Sequence, residues 1–135
     1  EETGEFVFNM CTYDLREEMV NSAAASPKSL DEMAYTGLAP AACNNVAPPR
    51  VAASPIALEC KYLQTVDLPT APDGSRSPVV IGQVVGIHVD DAGSVDGKID
   101  VGRLNPLARL GDLEYATLNL DGIFEMRPPT YNEPE

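Results

Sequence analysis

Residues 55–68, "PIALECKYLQTVDL", and 78–91, "PVVIGQVVGIHVDD", alternate with a period of two over lengths that only long β-strands use. In the first, Ile56, Leu58, Cys60 and Tyr62 share one face while Glu59 and Lys61 share the other, which predicts a strand with one wet face. In the second, Val79, Ile81, Val85, Ile87 and Val89 occupy one face, and Val80, Gly82, Val84, Gly86 and His88 the other. Two glycines on one strand face predict close backbone approach or a sharp bend, as at a barrel corner. "TAPDGSRSP" between the stretches is turn material, with Asp73-Gly74 the expected reversal, so the two strands form a hairpin.

The rest of the chain fits around that hairpin. "EFVFNMC" reads as a short strand. Asp14 and Glu17 resemble a capping box, and the apolar spacing after them predicts a helix from about Leu15 to Ala24. A second short helix is expected from Asp31 to about Tyr35, stopped by Gly37. Residues 41–55 carry too many prolines and small residues for a regular element. "KIDV", "LEYATL" and "IFEMR" read as short extended pieces. With 12 prolines and 10 glycines in 135 residues, the reading is one mainly β (α+β) domain, an antiparallel core with one or two external helices.

Charge narrows function. Nine Lys+Arg against 21 Asp+Glu give a formal net charge of −12, which argues against nucleic-acid binding because phosphate contacts dominate that affinity. The longest apolar run is about half of what a bilayer span needs, and no signal peptide is visible, so no membrane partner is expected. The three cysteines, Cys11, Cys43 and Cys60, lack metal or disulfide spacing, and a cytoplasmic location follows. The first residues are Glu-Glu and a strand follows at once, as in a piece cut from a longer sequence.

Candidate chemistry is sparse. His88 is the only histidine and has no second ligand at metal spacing, so no metal is expected; a hydrogen-bonded strand histidine and a role beside a ligand both remain open. No GxSxG elbow, GxGxxG loop or P-loop occurs. Arg109, just before Leu110-Gly111, can meet a phosphate or carboxylate, or can pair with Glu114 or Asp112. "DEMAYTGL" is either a capped turn packing Met33 and Leu38 or a mobile flap.

"EETGEFVFNM", "DEMAYTGL", "VAPPRVAASPIALECKY", "VVIGQVVGIHVDD", "GKIDVGRLNPLARLGDLEYATL" and "FEMRP" occur in this order over nearly the whole chain. Together they resemble the C-terminal two-thirds of the flavin reductase-like, FMN-binding split β-barrel family, the flavoredoxin-like branch in particular. The resemblance implies an antiparallel split β-barrel, a homodimer, and FMN at or near the subunit interface. It implies an oxidoreductase that passes electrons from NAD(P)H to flavin; a non-catalytic electron carrier and an inactive structural fragment are the alternatives. By this resemblance Arg109, Gly111 and Tyr115 lie near the cofactor, with Arg109 shaping the flavin pocket or dimer interface, and Asp31, Met33, Gly37 and Leu38 form a flap over it. Met33 stands where the family has an aromatic residue, and Gly111-Asp112 where it has a double glycine. The family's N-terminal third, with its "N-x-A-P-x-S" and "K-D-T" stretches, has no counterpart among residues 1–135, which read as part of a single domain.

Overall fold

The computed structural model describes residues 3–24, 26–27 and 29–129. In chain order its elements are β1 (Glu5–Asn9), α1 (Arg16–Ser22), α2 (Glu32–Thr36), β2 (Pro40–Ala41), β3 (Arg50–Val51), β4 (Ile56–Val66) and β5 (Val79–Val89). The short elements β6 (Ser94–Val95), β7 (Lys98–Ile99), α3 (Val101–Leu104), β8 (Leu107–Arg109) and β9 (Tyr115–Thr117) follow.

β4 and β5 are the long antiparallel hairpin, and β1 pairs with the other edge of β4, giving a sheet of order β1-β4-β5. The register slips at Glu59/Cys60, opposite Gly86 and Val84, and again at Tyr62/Gln64, opposite Gly82 and Ile81. Each irregularity therefore falls beside one of the strand glycines, where a bulge twists and bends the sheet. Both glycines are also places of close approach. A Cβ on Gly82 would lie 2.5 Å from the Phe6 ring, and one on Gly86 2.6 Å from the Asn45 amide nitrogen and 3.0 Å from the Glu59 carboxylate carbon.

One expectation fails at the centre of the sheet. Glu59, read as part of a wet face, is fully buried. The proline-rich segment before β3 folds across that face and covers it. Its backbone lacks partners of its own, so its N–H groups bond to side chains of the sheet. Asn44 and Asn45 donate to the two Glu59 oxygens at 2.9 and 2.6 Å and Ala47 donates to Glu5 at 2.7 Å, while Val51 of β3 itself donates to the Asn9 side chain at 2.9 Å. Lys61 pairs with Glu5 at the margin. Polar strand residues thus hold the cover down, while Val46, Ile56, Ala57 and Cys60 form the buried apolar centre.

The helices differ from expectation in detail. Asp14 makes no cap; a 3-10 turn over Tyr13–Leu15 precedes α1, which begins at Arg16. α2 starts as its sequence predicts, with Asp31 accepting from Met33 and Ala34, and ends on Gly37 at φ 78°. "IFEMR" is not a strand. A 3-10 turn at Leu120–Gly122 leads into irregular chain in which Phe124 and Met126 are exposed, and among the described residues no neighbouring strand supplies the ladder that a β conformation needs.

β5 is the edge of the sheet, and its aliphatic side chains are exposed. Val79, Val80, Ile81, Val84, Val85, Ile87 and Val89 are all exposed, Ile87 at 65 %. A long apolar edge strand of this kind is a template for pairing with further β structure.

Candidate functional site

The segment opened by Asn105-Pro106 docks on the chain just before α1. Leu107 donates to the Cys11 carbonyl at 2.9 Å, Tyr13 donates to that of Asn105 at 3.0 Å, and Thr12 bridges to Pro106. This places the β8–β9 hairpin beside α1 and leaves a cleft of about 570 Å³ between them. Tyr13, Arg16, Met19 and Val20 line one side; Leu107, Tyr115 and Thr117 line the other. Its size lies within the range of small-molecule and cofactor sites, and its lining is mainly apolar with two tyrosines, the usual surface for a flat ring.

Arg109 and Tyr115 face each other directly across the hairpin. The guanidinium donates to the Tyr115 hydroxyl at 2.8 Å and to the Asp112 backbone carbonyl at 2.9 Å, with its carbon 5.4 Å from the Tyr115 ring centre. The ion-pair alternative read from the local sequence does not describe this. Among the described residues, Arg109 forms no ion pair with Glu114 or the Asp112 carboxylate, and its donors brace the tyrosine that lines the cleft. Asp112 sits at φ 51°, a left-handed conformation that glycine adopts freely and aspartate tolerates. Gly111 has open space where a Cβ would lie, and its carbonyl accepts from the Glu114 N–H at 3.0 Å to close the turn.

Leu38 borders a second, smaller cavity of about 130 Å³ with Met10, Leu15 and Met19. Met19 borders both cavities, so α1 stands between Leu38 and the Tyr115 cleft. Asp31 and Gly37 act as the start and stop of α2, and Met33 is half-buried; these three do not line the Tyr115 cleft. Within the cleft the cation is Arg16, which donates to the Tyr13 carbonyl at 2.8 Å, contacts Glu17 at 3.2 Å, and stacks 4.1 Å from the Tyr13 ring centre.

A scan of known domain families matches residues 1–107 to the flavin reductase like domain. The chain belongs to the flavin reductase-like family. An uncharacterized protein of Deinococcus radiodurans is 30 % identical over 131 residues, covering 95 % of this chain and 55 % of the relative. Among solved structures, nitrilotriacetate monooxygenase component B from Bacillus cereus superposes with a TM-score of 0.82 at 28 % identity, over 93 % of this chain and 61 % of that one. A putative flavin reductase with a split barrel domain from Shewanella frigidimarina gives 0.72 at 26 % identity, over 96 % and 62 %. The fold is therefore that of the split-barrel flavin reductases, and the chain spans little more than half the length of the relatives it matches. Among the described residues no helix is long and apolar enough to cross a membrane.

Sequence reasoning missed a second group. His88 on β5 contacts Glu59 on β4, and Cys43 from the covering segment stands beside them. The Asn44 N–H holds the Glu59 carboxyl down at about 2, against the opposing effect of burial, and His88 and Asn45 add to this. Burial, and then the neighbouring Glu59 charge, push the Cys43 thiol up. No spacing rule could find this cluster, because its members come from a loop and two strands. A Glu within an apolar strand run was the available signal, since an unpaired carboxylate there is costly.

Proposed function

We propose that this flavin reductase-like chain binds the ring of FMN in the Tyr115 cleft and works as an oxidoreductase, passing electrons from NAD(P)H to flavin. The cleft is the observation that carries the reading. It is large enough for a tricyclic ring, it is lined by Tyr13, Tyr115, Met19 and Val20, and it lies in a chain of this family. Bound FMN would supply reversible hydride and electron chemistry that no side chain here can perform.

The residues of the chain have narrower tasks. Tyr115 offers an aromatic face, and Arg109 fixes that ring by holding its hydroxyl. Met19 and Val20 keep water from the ring's apolar edge. Arg16 is the cation in the lining, and its solvent-exposed contact with Glu17 is weak enough to yield to an anionic group. A phosphate needs more donors than Arg16 alone. The Asp31–Leu38 segment, leaning on α1, would restrict access indirectly by moving that helix.

The exposed apolar edge of β5 supports a homodimer or completion by further strands of the same fold. A cytoplasmic location agrees with three free cysteines. Anaerobic mixing of the FMN-loaded protein with NADH or NADPH tests the activity. Bleaching of the flavin by either nucleotide supports the reductase; flavin that stays oxidised with both refutes NAD(P)H as the donor.

A further inference from the structure

Outside the Tyr115 cleft, three different ligand types converge on one point of the sheet. Cys43, Glu59 and His88 each present one ligand atom, and these atoms lie within 4.8 Å of one another. Bonds of about 2.0–2.3 Å place the ligands of a tetrahedral zinc ion roughly 3.3–3.8 Å apart, so modest side-chain rotation would close the set. We propose that Cys43, Glu59 and His88 form a binding site for a zinc-class divalent cation.

The surroundings are those of a prepared ligand. The Glu59 carboxylate is fully buried and fixed by the Asn44 and Asn45 N–H groups at 2.9 and 2.6 Å. Such outer hydrogen bonds orient a metal-binding carboxylate while leaving lone pairs for the ion. Gly86 lies opposite Glu59 in the ladder, and its missing side chain leaves the carboxylate room. Cys43 and His88 are half-buried, which gives an ion a path from solvent.

The donor set selects the metal. Magnesium and calcium take oxygen ligands, whereas sulfur with imidazole and one carboxylate suits zinc. A thiolate and a carboxylate together cancel the charge of a divalent ion, with neutral imidazole completing three protein ligands. A fourth position is then left to water. On binding, the Cys43 S–H bond breaks, its sulfur electron pair goes to the metal, and the proton goes to solvent; nothing is oxidised or reduced. The rival account is a plain Glu59–His88 hydrogen bond with Cys43 packed beside it.

Cobalt(II), the spectroscopic stand-in for zinc, separates the two. Chelator-stripped protein titrated with Co²⁺ should develop the thiolate-to-metal charge-transfer band and the visible bands of a tetrahedral site, saturating at one equivalent. Zinc should abolish both. Cys43→Ser should lose the charge-transfer band, whereas Cys11→Ser and Cys60→Ser should keep it, and His88→Ala should weaken binding tenfold or more. Circular dichroism of each stripped variant confirms that the fold is retained. Wild-type protein without the charge-transfer band, or Cys43→Ser protein that keeps it, would overturn the proposal. Neither result depends on flavin uptake.

Discussion

Replacing Gly86 by alanine tests whether the cover over the sheet is held as described. Alanine ordinarily gains about 0.4–1 kcal/mol over glycine by restricting the unfolded chain. Here the new Cβ would lie 2.6 Å from the Asn45 side-chain nitrogen, 3.0 Å from the Glu59 carboxylate carbon and 3.2 Å from one of its oxygens. The carboxylate cannot step aside freely, because two N–H groups of the covering segment and His88 hold it. Overpacking at such a place costs about 1–3 kcal/mol, so Gly86→Ala should be net destabilising by about 1–2 kcal/mol. For a chain of this size that corresponds to a melting temperature lower by roughly 3–10 °C. Thermal unfolding followed by far-ultraviolet circular dichroism reads it. Gly82→Ala should also lose stability, since its Cβ would lie 2.5 Å from the half-buried Phe6 ring and 3.1 Å from the Lys61 backbone carbonyl. Gly111→Ala has open space around it and should be neutral or slightly stabilising. A Gly86→Ala protein that melts at or above the wild-type temperature would refute the reasoning.

Other outcomes follow from the same geometry. The folded Glu59 carboxyl sits at about 2, below the ordinary 4.5, so its contribution is present above the unfolded value and is lost as pH falls through the folded one. Acid unfolding should therefore steepen between about pH 4.5 and 2, and Glu59→Gln should flatten that part of the profile in urea titrations at stepped pH. Ile87→Lys, at a 65 % exposed edge position, should leave the melting temperature nearly unchanged while shifting size-exclusion elution toward smaller species. Asp31→Ala removes the two N-terminal bonds of α2 and should cost about 0.5–2 kcal/mol, read as faster amide exchange confined to residues 32–38.

The long hairpin was legible because its signal is local: alternation over eleven residues in each strand, glycines at the bends, and Asp73-Gly74 between. The α2 segment was legible for the same reason, with Asp31 and Gly37 marking its ends. Glu59 was not. Alternation assigns a residue to a face, but whether that face is wet depends on what covers it, and the cover arrives from residues 42–49. The Arg109 contacts were hidden by another limit. The sequence shows nearby acids, yet the turn at Asp112 directs a backbone carbonyl and the Tyr115 hydroxyl to the guanidinium. "IFEMR" had the composition of a strand without a partner to pair with, and composition does not report partners.

FMN titration of the purified protein, followed by quenching of flavin fluorescence, tests the central claim most directly. Uptake should be saturable and should weaken roughly threefold to tenfold in Tyr115→Ala, as expected when an aromatic contact is removed. Gly111→Ala, in the same turn but outside the cleft lining, should bind as the wild type does. Saturable binding with equal affinity in wild-type and Tyr115→Ala protein, or no uptake by the wild type, would contradict it.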